Sequence, residues 1–321
     1  MLLLYTVPYL YKYHYFSKKY RLGTAGLGAQ TALLLAAHSA SHIFITGRSS
    51  SRAETIISNI RTKYPKVIAT FIELDLGSLA SVKAGAKTFI SSFPPGEKPR
   101  LDILICNAGV MALPPGVTTD GYEIQFGTNH LGHALLVKLL LPTLLSTASL
   151  PSSDVRVVFL SSLAFSGHPL GGILFDSLRS RQDIFLLGTG AWQRYGQSKL
   201  ANILYAAELA RKYGSPDSGN ITSMSIHPGT FNTHLISSLG ILDRAMIYIV
   251  NLGNVKNEAR GGEGGWNTCW AATSPKDGII NGGFYTPVGV KGKLLRENGN
   301  EKLAKELWDW TERELAEWNL D

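Results

Sequence analysis

The sequence predicts an α/β protein, a doubly wound parallel sheet with helices on both faces and with its first strand missing or degenerate. Three observations carry this expectation. From about residue 22 onward, short apolar runs alternate with segments of helical period, and the joints between them are short and polar. Strands that alternate with helices of this length build βαβ units, whose crossovers cover both faces of a parallel sheet. The first 21 residues do not follow the pattern: they hold six of the thirteen tyrosines (Tyr5, Tyr9, Tyr11, Tyr13, Tyr15, Tyr20) and the adjacent Lys18 and Lys19.

Strands are expected at 42–46, 67–74, 101–106, 155–161, 221–226 and 283–288, where apolar residues run together. Helices are expected between them. Residues 31–37 are rich in Ala and Leu, and 52–63 place Ile56, Ile57 and Ile60 on one face. Residues 78–93, 129–145, 193–213 and 301–318 follow the same period. The Gly-rich stretch at 260–265 reads as a loop before a helix rather than a linker. There is no internal repeat, so 23–321 is expected to be a single domain behind an atypical segment, 1–22. A first strand would lie inside the sheet, where two lysines cost several kcal/mol each to bury. Residues 1–22 are therefore not expected to be the native start; an incorrectly assigned first exon or a truncated gene would give such an abrupt change in composition.

Composition narrows the function. The chain has 321 residues, 45% hydrophobic and 17% charged, which is ordinary for a globular protein. Of the net charge of +7, Lys12, Lys18, Lys19 and Arg21 supply four without any acid among the first 21 residues. No basic stripe with interleaved aromatics remains, so no nucleic-acid partner is expected. Cys106 and Cys269 give neither a disulfide framework nor zinc spacing, which suits a reducing compartment. No window reads as the roughly 18 apolar residues of a membrane span, and the opening MLLLYTVPYLY lacks the features of a secretory signal. The expected location is cytoplasmic, with peripheral membrane contact left open.

Gly23, Gly26 and Gly28 precede AQTALLLAA, a good helix start. Such a turn lets backbone N–H groups and the positive end of a helix face a pyrophosphate. With 33 glycines in the chain, the turn by itself says little. The strand after that helix ends at Arg48, with Ser49, Ser50 and Ser51 behind it. An acid at this point pairs with a ribose hydroxyl, and an Arg pairs with a 2′-phosphate. Arg48 reads equally as a solvated charge at a strand end.

YGQSK places Tyr195 and Lys199 four apart, on one face of a helix. A phenol beside a fixed cation is expected to have its pKa lowered, so that it exchanges a proton with a carbonyl or alcohol oxygen. The spacing occurs a second time, at Tyr15 and Lys19, without a strand or glycine turn around it. Around Tyr195, in contrast, a strand ends at Ser161-Ser162, CNAG ends another at Cys106–Gly109, TNHLGH opens a helix at 128–133, and SIHPGTFNT follows at 225–233.

In this order, from about Gly23 to Trp318, these motifs resemble the short-chain dehydrogenase/reductase family, in particular its retinol-dehydrogenase-like and WW-domain-oxidoreductase-like branch with its fungal relatives. The resemblance implies a Rossmann fold, a nicotinamide cofactor and a Ser-Tyr-Lys-Asn site. Tyr195 is then the acid/base, Lys199 lowers its pKa and holds the nicotinamide ribose, Ser162 binds the substrate oxygen, and Asn129 holds a proton-relay water. Gly23, Gly26, Leu27 and Gly28 form the pyrophosphate turn, Arg48 selects NADP, Asp75 meets the adenine, Asn107 lines the adenosine ribose, and Phe231 and Thr233 contact the nicotinamide end. The family spacing Thr-Gly-x-x-x-Gly-x-Gly, counted back from Gly28, puts the first glycine on Leu22 and the threonine on Arg21.

The expected function is therefore an NADP(H)-dependent oxidoreductase that interconverts a carbonyl and an alcohol on a lipophilic small molecule, with secondary metabolism as its setting by resemblance. A homo-oligomer is within the family's habit. The alternative is a catalytically impaired Rossmann-like binding or scaffold protein, or a truncated product, suggested by residues 1–22. His130 and His133, three apart, lack a third ligand and read as packing rather than metal. Cys106 reads as inert, His227 as a turn residue, and 240–250 as part of a substrate-side lobe. The apolar stretches at 168–175 and 183–192 read either as pocket lining or as surface loop.

Overall fold

The computed structural model describes residues 26–183, 189–229, 263–293 and 295–320 in full, together with the backbone of 2–6, 231–232 and 256–257. Its main sheet has eight strands: β1 (Leu2–Thr6), β2 (His42–Gly47), β3 (Ile68–Glu73), β4 (Ile103–Cys106), β5 (Val155–Leu160), β6 (Ile221–Ile226), β9 (Phe284–Thr286) and β10 (Val290–Lys291). Their spatial order is β10-β9-β6-β5-β4-β1-β2-β3, and β2–β3, β4–β5, β5–β6 and β6–β9 pair in parallel. The pair β7 (Phe231–Asn232) and β8 (Lys256–Asn257) stands apart as a two-stranded ribbon.

The helices follow in chain order: α1 (Leu27–Ala37), α2 (Ser50–Lys63), α3 (Leu79–Ser91), α4 (Ile124–Ala148), α5 (Gly190–Tyr213), α6 (Trp266–Thr273) and α7 (Glu301–Glu314). Side chains alternate between two cores. On β2, Phe44 joins the core beneath α3, α4, α5 and α7, while Ile43 and Ile45 join the core beneath α1, α2 and α6. On β4, Leu104 and Cys106 face the first core and Ile103 and Ile105 the second. Burial on both faces explains why these strands read as unbroken apolar runs. Ser49, Ser78 and Asn300 cap α2, α3 and α7 by accepting backbone N–H bonds, and so fix where those helices begin.

Four features differ from the sequence expectation. The interior slot that the sequence leaves without a strand is filled by Leu2–Thr6, running antiparallel between β2 and β4, with Leu3 opposite both Ile45 and Ile105. An open slot would leave two rows of backbone donors and acceptors unpaired. LLLYT is an apolar run of the kind that an interior strand needs. The second difference is Ile124–Ala148, which has the length and hydropathy of a membrane span although none was expected; 72% of its apolar window is buried inside the protein, as in a core helix. Third, the end of the Gly-rich stretch is a 3-10 turn, Glu263–Gly265, rather than a loop; α6 follows it as expected, and Gly265 lets the turn approach the backbone of α1 at Gln30 and Thr31. Fourth, α4 contains a π-helical stretch, Gly127–Leu131. Residues 240–250 lie outside the described residues.

Candidate active site

Ser162, Tyr195, Lys199, Asn129 and Asn107 all meet at the carboxyl edge of β4 and β5, where doubly wound sheets hold their ligands. Ser162 follows β5 and caps a short 3-10 turn, Leu163–Gly167, by accepting from the Ala164 N–H at 3.2 Å. Tyr195 and Lys199 lie one turn apart on α5, both buried, with the Lys199 Nζ 5.6 Å from the phenol ring centroid. Ser162 reaches the Tyr195 hydroxyl by a side-chain hydrogen bond. Gly196 makes this approach possible. A Cβ there would lie 2.7 Å from the Ala164 carbonyl oxygen and 2.8 Å from backbone atoms of Gly167 and His168.

The electrostatics correct one expectation. Tyr195 is not lowered: burial pushes the phenol up to about 12, and the hydrogen bond from Ser162 only partly opposes this. Lys199 gives little relief because its Nζ donates to the Leu160 carbonyl at 3.0 Å, and burial pulls the ammonium down to about 8. The result is a protonated phenol beside an ammonium that titrates near physiological pH.

Asn129 lies in the π-helical stretch, a feature that recurs at functional sites. Its amide is fully engaged. Oδ1 accepts from the Val110 N–H at 2.7 Å, while Nδ2 donates to the Val110 carbonyl and the Ser198 hydroxyl, both at 2.9 Å. The side chain therefore clamps the loop after β4 onto α5, and a water relay at Asn129 is left with its backbone. Gly109 allows the close approach: a Cβ there would stand 2.9 Å from Asn129 Oδ1 and 3.4 Å from Lys199 Nζ.

His133 Nε2 bonds the Ala108 carbonyl at 2.8 Å, and His130 Nε2 meets Thr311 Oγ1 at 3.2 Å. Burial drives both imidazoles down to about 3, so both are neutral packing groups. No metal-binding cluster occurs among the described residues. Burial raises the Cys106 thiol far out of reactive range. His227 is buried, and its carbonyl accepts from Asn267 at 2.7 Å.

At the other end of the edge, Gly26 has φ 88°, a conformation that suits glycine, and it caps α1, of which Leu27 is the first residue and Gly28 is buried. Gly23 and Thr233 lie outside the described residues, and only the backbone of Phe231 is described. Arg48 follows β2, exposed, and makes no ion pair or hydrogen bond among the described residues. Asp75, two residues past β3, accepts the Gly77 N–H at 2.9 Å.

Sequence reasoning missed Arg194, Glu123, Gln197, Ser198 and Asn202, which are all buried. A signal was present: α5 carries polar residues amid Leu, Ile and Ala on positions that face the core, and buried polar groups need partners. Asn202 donates to the Leu160 carbonyl at 3.1 Å, the same acceptor that Lys199 uses.

The comparisons with known proteins show the family. Residues 23–171 match the family described as short chain dehydrogenase. A short-chain dehydrogenase/reductase of Armillaria gallica is 33% identical over 301 residues, covering 92% of this chain and 89% of the relative. The chain belongs to the short-chain dehydrogenase/reductase family. Human retinol dehydrogenase 14 is 37% identical over 242 residues, covering 75% of this chain and 65% of that protein. Among solved structures, that of an uncharacterized protein from Mycobacterium Paratuberculosis superposes with a TM-score of 0.65 at 29% identity, covering 90% of this chain and 89% of that one. As a member of the family, this protein is an oxidoreductase with a Rossmann-type fold.

Proposed function

We propose that this oxidoreductase uses NADP(H) to interconvert a carbonyl and an alcohol on a lipophilic small molecule. The observation that carries the reading is the buried Tyr195-Lys199 pair with half-buried Ser162 beside it at the sheet's carboxyl edge, and a phenol that stays protonated to about pH 12. In the reductive direction Ser162 holds the substrate oxygen and Tyr195 donates the proton to it. Lys199, charged below about pH 8, stabilises the phenolate that remains. The cofactor, when bound, supplies or accepts the hydride.

The residues present fit such a cofactor at both ends. Among the described residues Lys199 donates one of its three protons to the Leu160 carbonyl, which leaves donors for a ribose. Arg48 is an exposed cation, without an ion pair among the described residues, where a 2′-phosphate is recognised in folds of this kind, and no acid takes its place. Asp75 lies at the end of β3, on the adenine side. The lipophilic substrate and a setting in secondary metabolism rest on the family resemblance and on the apolar stretches near the site.

A second reading, a binding protein without turnover, draws on the reversed β1, whose carboxyl end points away from the edge at which α1 begins. One experiment separates the two. NADPH fluorescence is titrated with the native chain, with Tyr195→Phe, and with a variant whose residues 1–22 are replaced by an apolar strand ending in Thr-Gly. The oxidoreductase reading expects binding by the native chain and by Tyr195→Phe, and carbonyl turnover only by the former. Turnover by Tyr195→Phe overturns the assigned mechanism. Binding by the replaced chain alone favours the second reading for the native protein.

A further inference from the structure

Two connections leave the sheet edge beside Tyr195: residues 107–123 after β4 and 161–189 after β5. Both are tied to one buried side chain. Arg194 donates from Nη1 to the Gln182 carbonyl at 3.1 Å and from Nη2 to the Leu113 carbonyl at 3.2 Å, and its Nε lies 3.4 Å from Glu123 Oε1. Arg194 is 2% exposed and Glu123 0%. The second oxygen of Glu123 accepts the Phe126 N–H at 2.6 Å, at the start of the helix that carries Asn129. Gln197, one turn along α5, adds a second tie by accepting the Leu174 N–H at 2.8 Å and donating to Gln182 Oε1 at 3.0 Å. Gln182 itself has φ 49°, an unusual value for a residue with a side chain, held by these bonds.

A buried ion pair brings little net stability over apolar residues of the same volume, and its best-attested use is to fix one arrangement among several. Among the described residues the two loops meet directly through the Glu123 N–H to the Leu178 carbonyl at 2.8 Å and through Arg179 and Arg181, which donate to the Tyr122 hydroxyl and the Pro115 carbonyl; the buried pair adds the link nearest the site, one residue before the catalytic tyrosine. We propose that Arg194, anchored by Glu123, is a positioning residue that fixes the separation of the connections 110–123 and 163–183 around Tyr195 and thereby sets the bulk of the carbonyl substrate that the site admits. The inference rests on the oxidoreductase reading for its substrate, but the clasp itself has an independent readout.

The test uses the full-length chain and the double variant E123Q/R194M, which removes both charges, leaves neither buried alone, and keeps an acceptor for Phe126. R194M alone serves as a second variant. Three quantities are measured: the NADPH dissociation constant, kcat/KM for a bulky probe (9,10-phenanthrenequinone) and a small one (butane-2,3-dione), and amide hydrogen exchange across 110–118 and 174–183. In the double variant the ratio of the two kcat/KM values should change at least about tenfold. The change should come through KM, with kcat for the small probe and the NADPH dissociation constant within about threefold of the native protein. Exchange in both segments should accelerate at least about tenfold while that of β4 and β5 stays unchanged. An unchanged probe ratio, or a uniform fall in kcat for both probes, overturns the inference. If the native chain reduces neither probe, the failure lies with these probes or with the oxidoreductase reading, and the exchange data still decide: unaltered protection in both segments refutes the clasp.

Discussion

Gly196→Ala tests the claim that the close approach of the Ser162 turn to α5 is what assembles the site. The new Cβ would lie 2.7 Å from the Ala164 carbonyl oxygen and 2.8 Å from the Gly167 carbonyl carbon and His168 nitrogen. All three are backbone atoms, so no side chain can swing aside. Ordinary contact needs at least about 3.5 Å, and the 3-10 turn has to retreat by roughly 0.7 Å. Ser162 caps that turn, so its hydroxyl moves with it, away from Tyr195. A misplacement of about 1 Å in a reacting group costs on the order of 10²-fold, so kcat should fall by about 10-fold to 10²-fold. Overpacking should cost about 1–3 kcal/mol of stability. NADPH affinity should stay within about threefold, because Gly196 faces the turn rather than the cofactor edge. The matched control is Gly167→Ala, in the same turn but with open space around its Cβ, and it should behave as the native protein does. Carbonyl reduction and chemical denaturation are measured on both variants. Native kcat in a folded Gly196→Ala, or an equal loss in Gly167→Ala, would refute the reasoning.

Three further outcomes follow from the same geometry. Arg48→Asp should weaken NADPH binding by about 10-fold to 10²-fold, the worth of roughly 1.5–3 kcal/mol for bonds to a charged group, and should leave NADH binding unweakened; equal losses for both cofactors, read by fluorescence titration, would remove Arg48 from 2′-phosphate recognition. Lys199 is held down to about 8 by burial and Tyr195 up to about 12, so kcat/KM for reduction should fall as pH rises through about 8, when the ammonium loses its proton but the phenol keeps its own; a profile flat from pH 7 to 10 contradicts this assignment. Trp308→Ala should cost about 3–5 kcal/mol in urea unfolding, because Trp308 is buried and stacks on Tyr205 of α5 at 4.7 Å; a loss below about 1 kcal/mol would show that α7 is not integral to that core.

The central strands β4, β5 and β6 were legible because every residue in them is buried, so their apolar runs survive any choice of register. Tyr195 and Lys199 were legible because one turn of helix brings them together whatever surrounds them. Other parts depend on distant neighbours and leave little local trace. The pKa of Tyr195 is one: proximity to a cation predicts a lowered value, but the Lys199 ammonium turns to the Leu160 carbonyl, and burial then dominates. Asn129 is another, since its amide is consumed by Val110 and Ser198, partners from two separate segments. The Arg194–Glu123 pair spans more than seventy residues of sequence and has no spacing rule to reveal it. The direction of β1 is a fourth case. An apolar run states that a segment can occupy a sheet interior, but the pairing groups of the neighbours accept either direction.

That direction divides the site into two parts with different support. With Leu2 opposite Thr46 and Thr6 opposite His42, β1 ends at the amino edge of the sheet, whereas α1 must begin near the carboxyl edge because it ends just before His42. In a parallel arrangement the strand would hand its carboxyl end straight to the glycine turn and hold it against the sheet. Here Thr6 and Gly26 stand at opposite edges of the sheet, so β1 itself does not hand its carboxyl end to Gly26 and α1. The proton-transfer group needs no such support. Ser162 comes from the end of β5, Tyr195 and Lys199 from α5, and Asn129 from α4, and each is fixed by bonds that do not pass through the first 25 residues. Cofactor affinity and catalytic geometry are therefore expected to respond differently to the opening residues: a change that spares β1, which pairs with β4 ahead of the Val110 loop, should act on the first and leave the second in place.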